Sequence, residues 1–171
     1  MSEPVQPLGG AAAGSLREIG PIGMITLRAG PDATGLAAAL GAVPPMRGIA
    51  EAGERRVAWM SPDEYLILTD RKSVAQVIEE ISKSMKDAHH LAVDVSDARA
   101  IFHLSGPAAD TALSRLCPVD FARLPAGEVR RTRLAQVACA LWREGDGITV
   151  VTFCSVARYA FDLLANAARA S

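Results

Sequence analysis

The chain has 171 residues, 50% of them hydrophobic and 22% charged, a mix that suits a folded globular protein and excludes a disordered chain. Eighteen basic and nineteen acidic side chains leave a formal net charge of −1, so the basic excess of a general nucleic-acid binder is missing. Nothing in this balance suggests a membrane-surface protein either. Alanine (31 residues) and the excess of arginine over lysine (15 to 3) fit a compositional bias of the source genome and carry no functional signal.

Residues 1 to about 20 hold Pro4, Pro7 and the run Gly9-Gly10-Ala11-Ala12-Ala13-Gly14. With so few anchoring side chains they read as a mobile N-terminal arm. They lack the basic start and unbroken apolar core of a signal peptide. No stretch approaches the roughly 18 apolar residues that span a bilayer. The chain is therefore expected to be cytoplasmic.

Met24 to Arg28 reads as a strand, followed by a short helix from Ala33 to Leu40 that Gly41 and Pro44-Pro45 end. Residues 46–56 are polar and read as loop. Val57 to Met60 and Tyr65 to Thr69 form two strands about the turn Ser61-Pro62-Asp63-Glu64. Ser73 and Gln76 have capping-box spacing, and Val74, Val77, Ile78, Ile81 and Met85 follow as one helical stripe. Strands are expected at Leu91 to Ser96 and Ala100 to Leu104, then a helix opened by Gly106-Pro107. A long strand from Thr132 to Arg143 should meet Ile148 to Cys154 across Glu144-Gly145-Asp146-Gly147, with a last helix capped by Ser155.

Written out, this is β-α-β-β-α-β followed by β-α-β-β-α, the ferredoxin-like split βαβ order and a near repeat of it. The expected fold is α+β, a single domain over residues 21–171 made of two pseudo-repeated halves, about 21–97 and 98–171.

Enzyme motifs are missing: there is no G-x-S-x-G, Walker A, G-x-G-x-x-G or H-E-x-x-H. Cys117, Cys139 and Cys154, an odd count without a Cys-x-x-Cys, argue against a disulfide framework and a structural zinc. Cys139 and Cys154 fall in apolar runs, where a free cysteine serves as a small hydrophobe. His89 and His90, side by side, point to opposite faces if they lie on a strand and then cannot chelate together; in a loop they could bind a metal, with Asp87 the one carboxylate close in sequence. His103 reads as a partly buried, hydrogen-bonded side chain.

The remaining candidates are interface or ligand residues. Asp63 and Glu64 lie beside Trp59 and Tyr65; such a set can hold a cationic amine or do acid–base work, or be a structural turn beside core aromatics. Asp94 is a ligand or partner contact, or the head of an Asx-type turn joining two strands. Arg131 and Arg133, in the basic run with Arg130, share a strand face and can clamp a carboxylate or phosphate, or protect a solvated edge.

Taken in order, several segments resemble one family. They are Gly23 to Arg28, Trp59 to Leu66, Val93 to Ala100, Leu104 to Ala108, Cys117 to Asp120, Arg131 to Val137, and Ser155 to Tyr159 with Arg158 in it. The chain resembles the gamma subunit of heterotetrameric sarcosine oxidase from about residue 20 to its end. It departs from that pattern at Tyr65, where a tryptophan is common, and at Val156, where an aromatic is common. The resemblance implies a fold similar to the folate-binding fold of glycine-cleavage aminomethyltransferases. It implies a complex that oxidises sarcosine to glycine with oxygen, releasing hydrogen peroxide and passing the one-carbon unit to tetrahydrofolate. It assigns FAD, FMN and NAD to the alpha and beta subunits and zinc to delta, with no cofactor, metal or catalytic residue in gamma. Gamma would contact alpha directly and meet beta and delta in the complex, without nucleic acid or membrane. Two functions remain open: a non-catalytic accessory subunit of the oxidase, and an independent folate-binding or aminomethyltransferase-like domain.

Overall fold

The computed structural model describes residues 7–170. In chain order it contains β1 (Ala12–Ala13), β2 (Leu16–Ile19), β3 (Gly23–Ala29), α1 (Leu36–Leu40), β4 (Ile49–Ala52), β5 (Arg55–Ser61) and β6 (Glu64–Thr69). Then come α2 (Val74–Ser84), β7 (His90–Asp94), β8 (Arg99–Ser105), α3 (Ala109–Ser114), β9 (Arg130–Leu134), β10 (Val137–Glu144), β11 (Gly147–Phe153) and α4 (Ala157–Arg169). This is a mixed α/β chain with two antiparallel sheets, divided into two compact units. No helix among the described residues is long and apolar enough to cross a membrane.

The first unit, Ile22–Ser96, carries the sheet β4-β5-β6-β3-β7. Strand alternation sends Ile25 and Leu27 of β3 to the helical side, where they meet Val74, Val77 and Ile81 of α2 and Leu36 and Leu40 of α1. The stripe at helical spacing is thus what seats α2, each fully buried aliphatic contributing about 1.5–3 kcal/mol. Its expected capping box is not formed. Ser73 makes no side-chain cap; a 3-10 turn, Arg71–Ser73, precedes the helix and is capped by Asp70, whose carboxylate accepts from Lys72 N at 2.8 Å. Residues 49–52, expected as loop, are the edge strand β4, paired to β5.

The second unit joins residues up to Pro21 to Asp97 onward, around the sheet β1-β2-β8-β11-β10-β9. Phe102 and Leu104 of β8, Leu141 of β10 and Ile148 and Val150 of β11 pack under Leu113 of α3 and Phe161 and Leu164 of α4. The Phe102 and Phe161 rings lie 6.1 Å apart, tilted by 55°. The expected single strand from Thr132 to Arg143 is instead the hairpin β9–β10. Ala135 takes a positive φ of 51°, and its N–H donates to Leu116 O at 2.7 Å.

The N-terminal segment needs the largest correction. Leu16 to Ile19 pair with Leu104 to Ile101 of β8, and Leu16 is completely buried. The Glu18 carboxylate accepts from Leu8 N at 3.0 Å and Gly10 N at 2.7 Å, and its own N–H donates to Ala11 O. Among the described residues the supposed arm is therefore ordered: Ala12–Ala13 and Leu16–Ile19 are strands of the sheet, and the turn before them is tied to Glu18; residues 1–6 lie outside the described residues.

Candidate functional site

Trp59 of β5 and Tyr65 of β6 face each other across a hairpin whose tip carries Asp63 and the buried Glu64. Arg28 of β3, the register partner of Glu64, reaches both carboxylates, at 2.9 Å to Asp63 and 3.1 Å to Glu64. The cation that this acidic pair can hold is thus supplied by the chain itself. The Ser61 hydroxyl donates to Asp63 at 2.8 Å, and this bond, with the Arg28 guanidinium, holds the Asp63 carboxyl below its ordinary value. Burial pushes the Tyr65 phenol up, with the charges of Asp32 and Asp63 adding to the effect. The cluster positions a turn: Asp63 O accepts from Ala29 N at 3.1 Å, which ties the hairpin tip to the end of β3.

Asp94 closes β7 with the geometry of an Asx turn. Its carboxylate accepts from Ser96 N at 2.9 Å and from Arg71 at 3.2 Å. Ser96, buried behind it, accepts from Met24 N at 2.9 Å, so this set joins the ends of β3 and β7. Arg131 and Arg133 are exposed on β9, an edge strand, while Arg130 pairs with Glu128 at 2.8 Å. Arg158 is exposed on α4 and bonded to Asp162 one turn on, at 2.9 Å. The eight candidates therefore fall in separate places. Only Trp59, Asp63, Glu64 and Tyr65 come together.

Sequence reasoning overlooked a buried polar chain in the second unit. Trp142 Nε1 donates to Glu144 at 3.0 Å, and the Thr149 hydroxyl donates to the same carboxylate at 2.7 Å. With its one proton spent there, Thr149 accepts from His103 Nδ1 at 3.1 Å, which leaves His103 Nε2 facing Asp146 at 3.7 Å. His103, expected as a partly buried, hydrogen-bonded side chain, is indeed buried and bonded, but its partners Thr149, Glu144 and Trp142 carry no signal in the sequence that links them to it. Among the described residues, no group of three or more His, Cys, Asp or Glu is placed to hold a metal ion. A depression of about 150 Å³ lies between Ala13-Gly14-Ser15 and the end of α4, well short of the several hundred Å³ typical of small-molecule sites.

Residues 29–170 match the model of the sarcosine oxidase, gamma subunit family, most of the chain. The chain belongs to that family. Among curated gamma subunits, that of an Arthrobacter species is 35% identical over 147 residues, covering 80% of this chain and 71% of its own length. The solved heterotetrameric sarcosine oxidase from Corynebacterium sp. U-96, in complex with pyrrole 2-carboxylate, contains a chain that superposes with a TM-score of 0.83 at 25% identity. That match covers 96% of this gamma-family chain and 90% of the other. The glycine cleavage system aminomethyltransferase T from Bartonella henselae shares the fold, with a TM-score of 0.69 at 14% identity, over 86% of this chain and 44% of its own.

Proposed function

We propose that this chain is the accessory, non-catalytic gamma subunit of a heterotetrameric sarcosine oxidase, packed directly on the alpha subunit and assembled with beta and delta. The superposition on a chain of a heterotetrameric oxidase, nearly complete in both directions, carries this reading. The site chemistry agrees with it, since the acidic pair already has its cation in Arg28 and Asp94 has its partners in Arg71 and Ser96. In this reading the complex oxidises sarcosine to glycine and passes the one-carbon unit to tetrahydrofolate. FAD, FMN and NAD belong to alpha and beta, zinc belongs to delta, and none is held by this chain.

The same reading extends to the fold. The order β5-β6-β3-β7, with β4 added at the edge, supports a ferredoxin-like split βαβ half for the first unit. The order β2-β8-β11-β10 supports the same assignment for the second half, which would take its fourth strand from the N-terminus.

Arg131 and Arg133, exposed on an edge strand, are suited to setting register against carboxylates of the larger subunit. Rim charges act mainly on association rate and its salt dependence. Replacing both by glutamate should slow association with alpha several-fold at low ionic strength, and the difference should shrink at about 0.5 M salt, where the Debye length is only a few ångströms. Biolayer interferometry over a salt series measures this; an unchanged association rate at low salt would remove these arginines from the interface.

A further inference from the structure

Strand β7 is an outer strand of the first unit's sheet, paired among the described residues to β3 alone. The direction of each backbone group along it follows from the bonds of β3. Ala29 N donates to Asp63 O on the side of β6, so the alternate residues Thr26 and Arg28 bond toward β7, and Val95 N, donating to Met24 O, continues that ladder. Their register partners Val93 and Leu91 therefore turn their N–H and C=O groups to β3. His90 and Ala92 aim theirs at the open edge, where no backbone group among the described residues meets them. The side chains alternate as well. Ala92 packs against the core cluster that contains Val74, Val77 and Ile81 of α2, and Leu91 and Val93 stand on the opposite face, 58% and 41% exposed.

Proteins guard a free sheet edge with charge, proline or brevity, because unpaired backbone groups beside apolar side chains invite another strand. The edge strand β9 carries Arg131 and Arg133, and β4, at the other end of β7's own sheet, is four residues long and carries Glu51. Strand β7 is five residues long and contains no lysine, arginine or proline. We infer, resting on the subunit assignment above, that β7 is kept open for strand addition by the alpha subunit, which that assignment places directly against this chain. An extended segment of alpha pairs with the outer edge, lengthens the five-stranded sheet by one strand, and sets aliphatic side chains beside Leu91 and Val93. The edge itself dictates this chemistry. Its outward N–H and C=O groups are matched by another extended backbone, and the Leu91–Val93 row by apolar side chains at every second position. A helix, whose own backbone groups are already paired, could not satisfy them.

Amide hydrogen exchange tests this by comparing the full chain alone with the complex recovered from its native cell, read on peptides that cover residues 89–95. The amides of His90 and Ala92 are expected to exchange freely in the chain alone and at least about tenfold more slowly in the complex, whereas β3 already protects those of Leu91 and Val93. A photoactivatable crosslinker in place of Leu91 is expected to join this chain to alpha. Ala92→Pro removes an outward N–H and leaves the ladder to β3 intact, a change that an edge strand tolerates. It should cut recovery of alpha about tenfold or more with the unfolding midpoint nearly unchanged. Unchanged exchange of His90 and Ala92 in a complex that contains the chain would overturn strand addition at β7 and leave the subunit assignment standing. Protection that grows with concentration in the isolated chain would put a second copy on this edge, and a crosslink to beta or delta would put another subunit there; either would overturn the inference. Recovery of the chain without oxidase subunits would overturn both the inference and the assignment. The exchange measurement uses the unsubstituted chain, so a proline variant that fails to fold does not weaken the test.

Discussion

Deleting residues 2–20 is expected to unfold the second unit rather than trim a dispensable tail. The deletion removes β2, which covers the edge of β8 through pairs from Leu16↔Leu104 to Ile19↔Ile101. It also takes Leu16 out of the core, where the side chain is fully buried beside Phe102 and Leu104. Loss of a buried leucine side chain alone costs about 2–5 kcal/mol. The exposed edge of β8 and its unpaired backbone groups add to this, against a total stability of about 5–15 kcal/mol for a typical domain. Chemical denaturation followed by near-ultraviolet circular dichroism, where the buried Trp142 reports on this unit, measures the outcome. Leu16→Ala provides a milder version, with an expected loss of about 2–5 kcal/mol. A truncated chain with an unchanged unfolding midpoint would contradict the role given to β2.

The second large effect is expected at Gly35, which begins α1. Its φ is +84°, where a side chain is strained, and a Cβ built there would lie 1.9 Å from Ser84 O at the end of α2. The obstacle is backbone, so no rotamer change relieves it. The two helices touch at this point because glycine leaves room for the carbonyl. Gly35→Ala should therefore cost about 3 kcal/mol or more, combining conformational strain with displacement of α1 from Leu36, Leu40 and their partners on α2. Thermal unfolding of the variant beside the parent measures it, and a loss below about 1 kcal/mol would show that the helices shift freely.

Where local pattern and tertiary need coincide, the sequence was legible. Strands β3, β5, β6, β8 and β11 and helix α2 carry their own periodicity, so element type follows from side-chain spacing. The failures have a common physical origin in contacts distant along the chain. β2 sits in a glycine- and alanine-rich stretch and is a strand because β8 lies beside it. The β9–β10 reversal lacks glycine or proline; Ala135 turns there with its N–H held by Leu116. Leu91 and Val93, in the strand expected from Leu91 to Ser96, are 58% and 41% exposed on the edge strand β7, an orientation that their apolar character does not indicate. The candidate site divides in the same way. Asp63, Glu64, Trp59 and Tyr65 stand out by type and adjacency, but the side chain that defines their chemistry, Arg28, comes from a strand 35 residues earlier. The His103–Thr149–Glu144–Trp142 chain also joins residues that no local motif connects.

The most direct measurement of the central claim is copurification of the tagged chain from its native cell, followed by partner identification, flavin absorbance and sarcosine-dependent peroxide production. The account predicts stoichiometric recovery with the three other oxidase subunits, flavin and turnover in the complex, and neither flavin nor turnover in the chain alone. Recovery of the chain without oxidase subunits, or sarcosine turnover by the isolated chain, would contradict it.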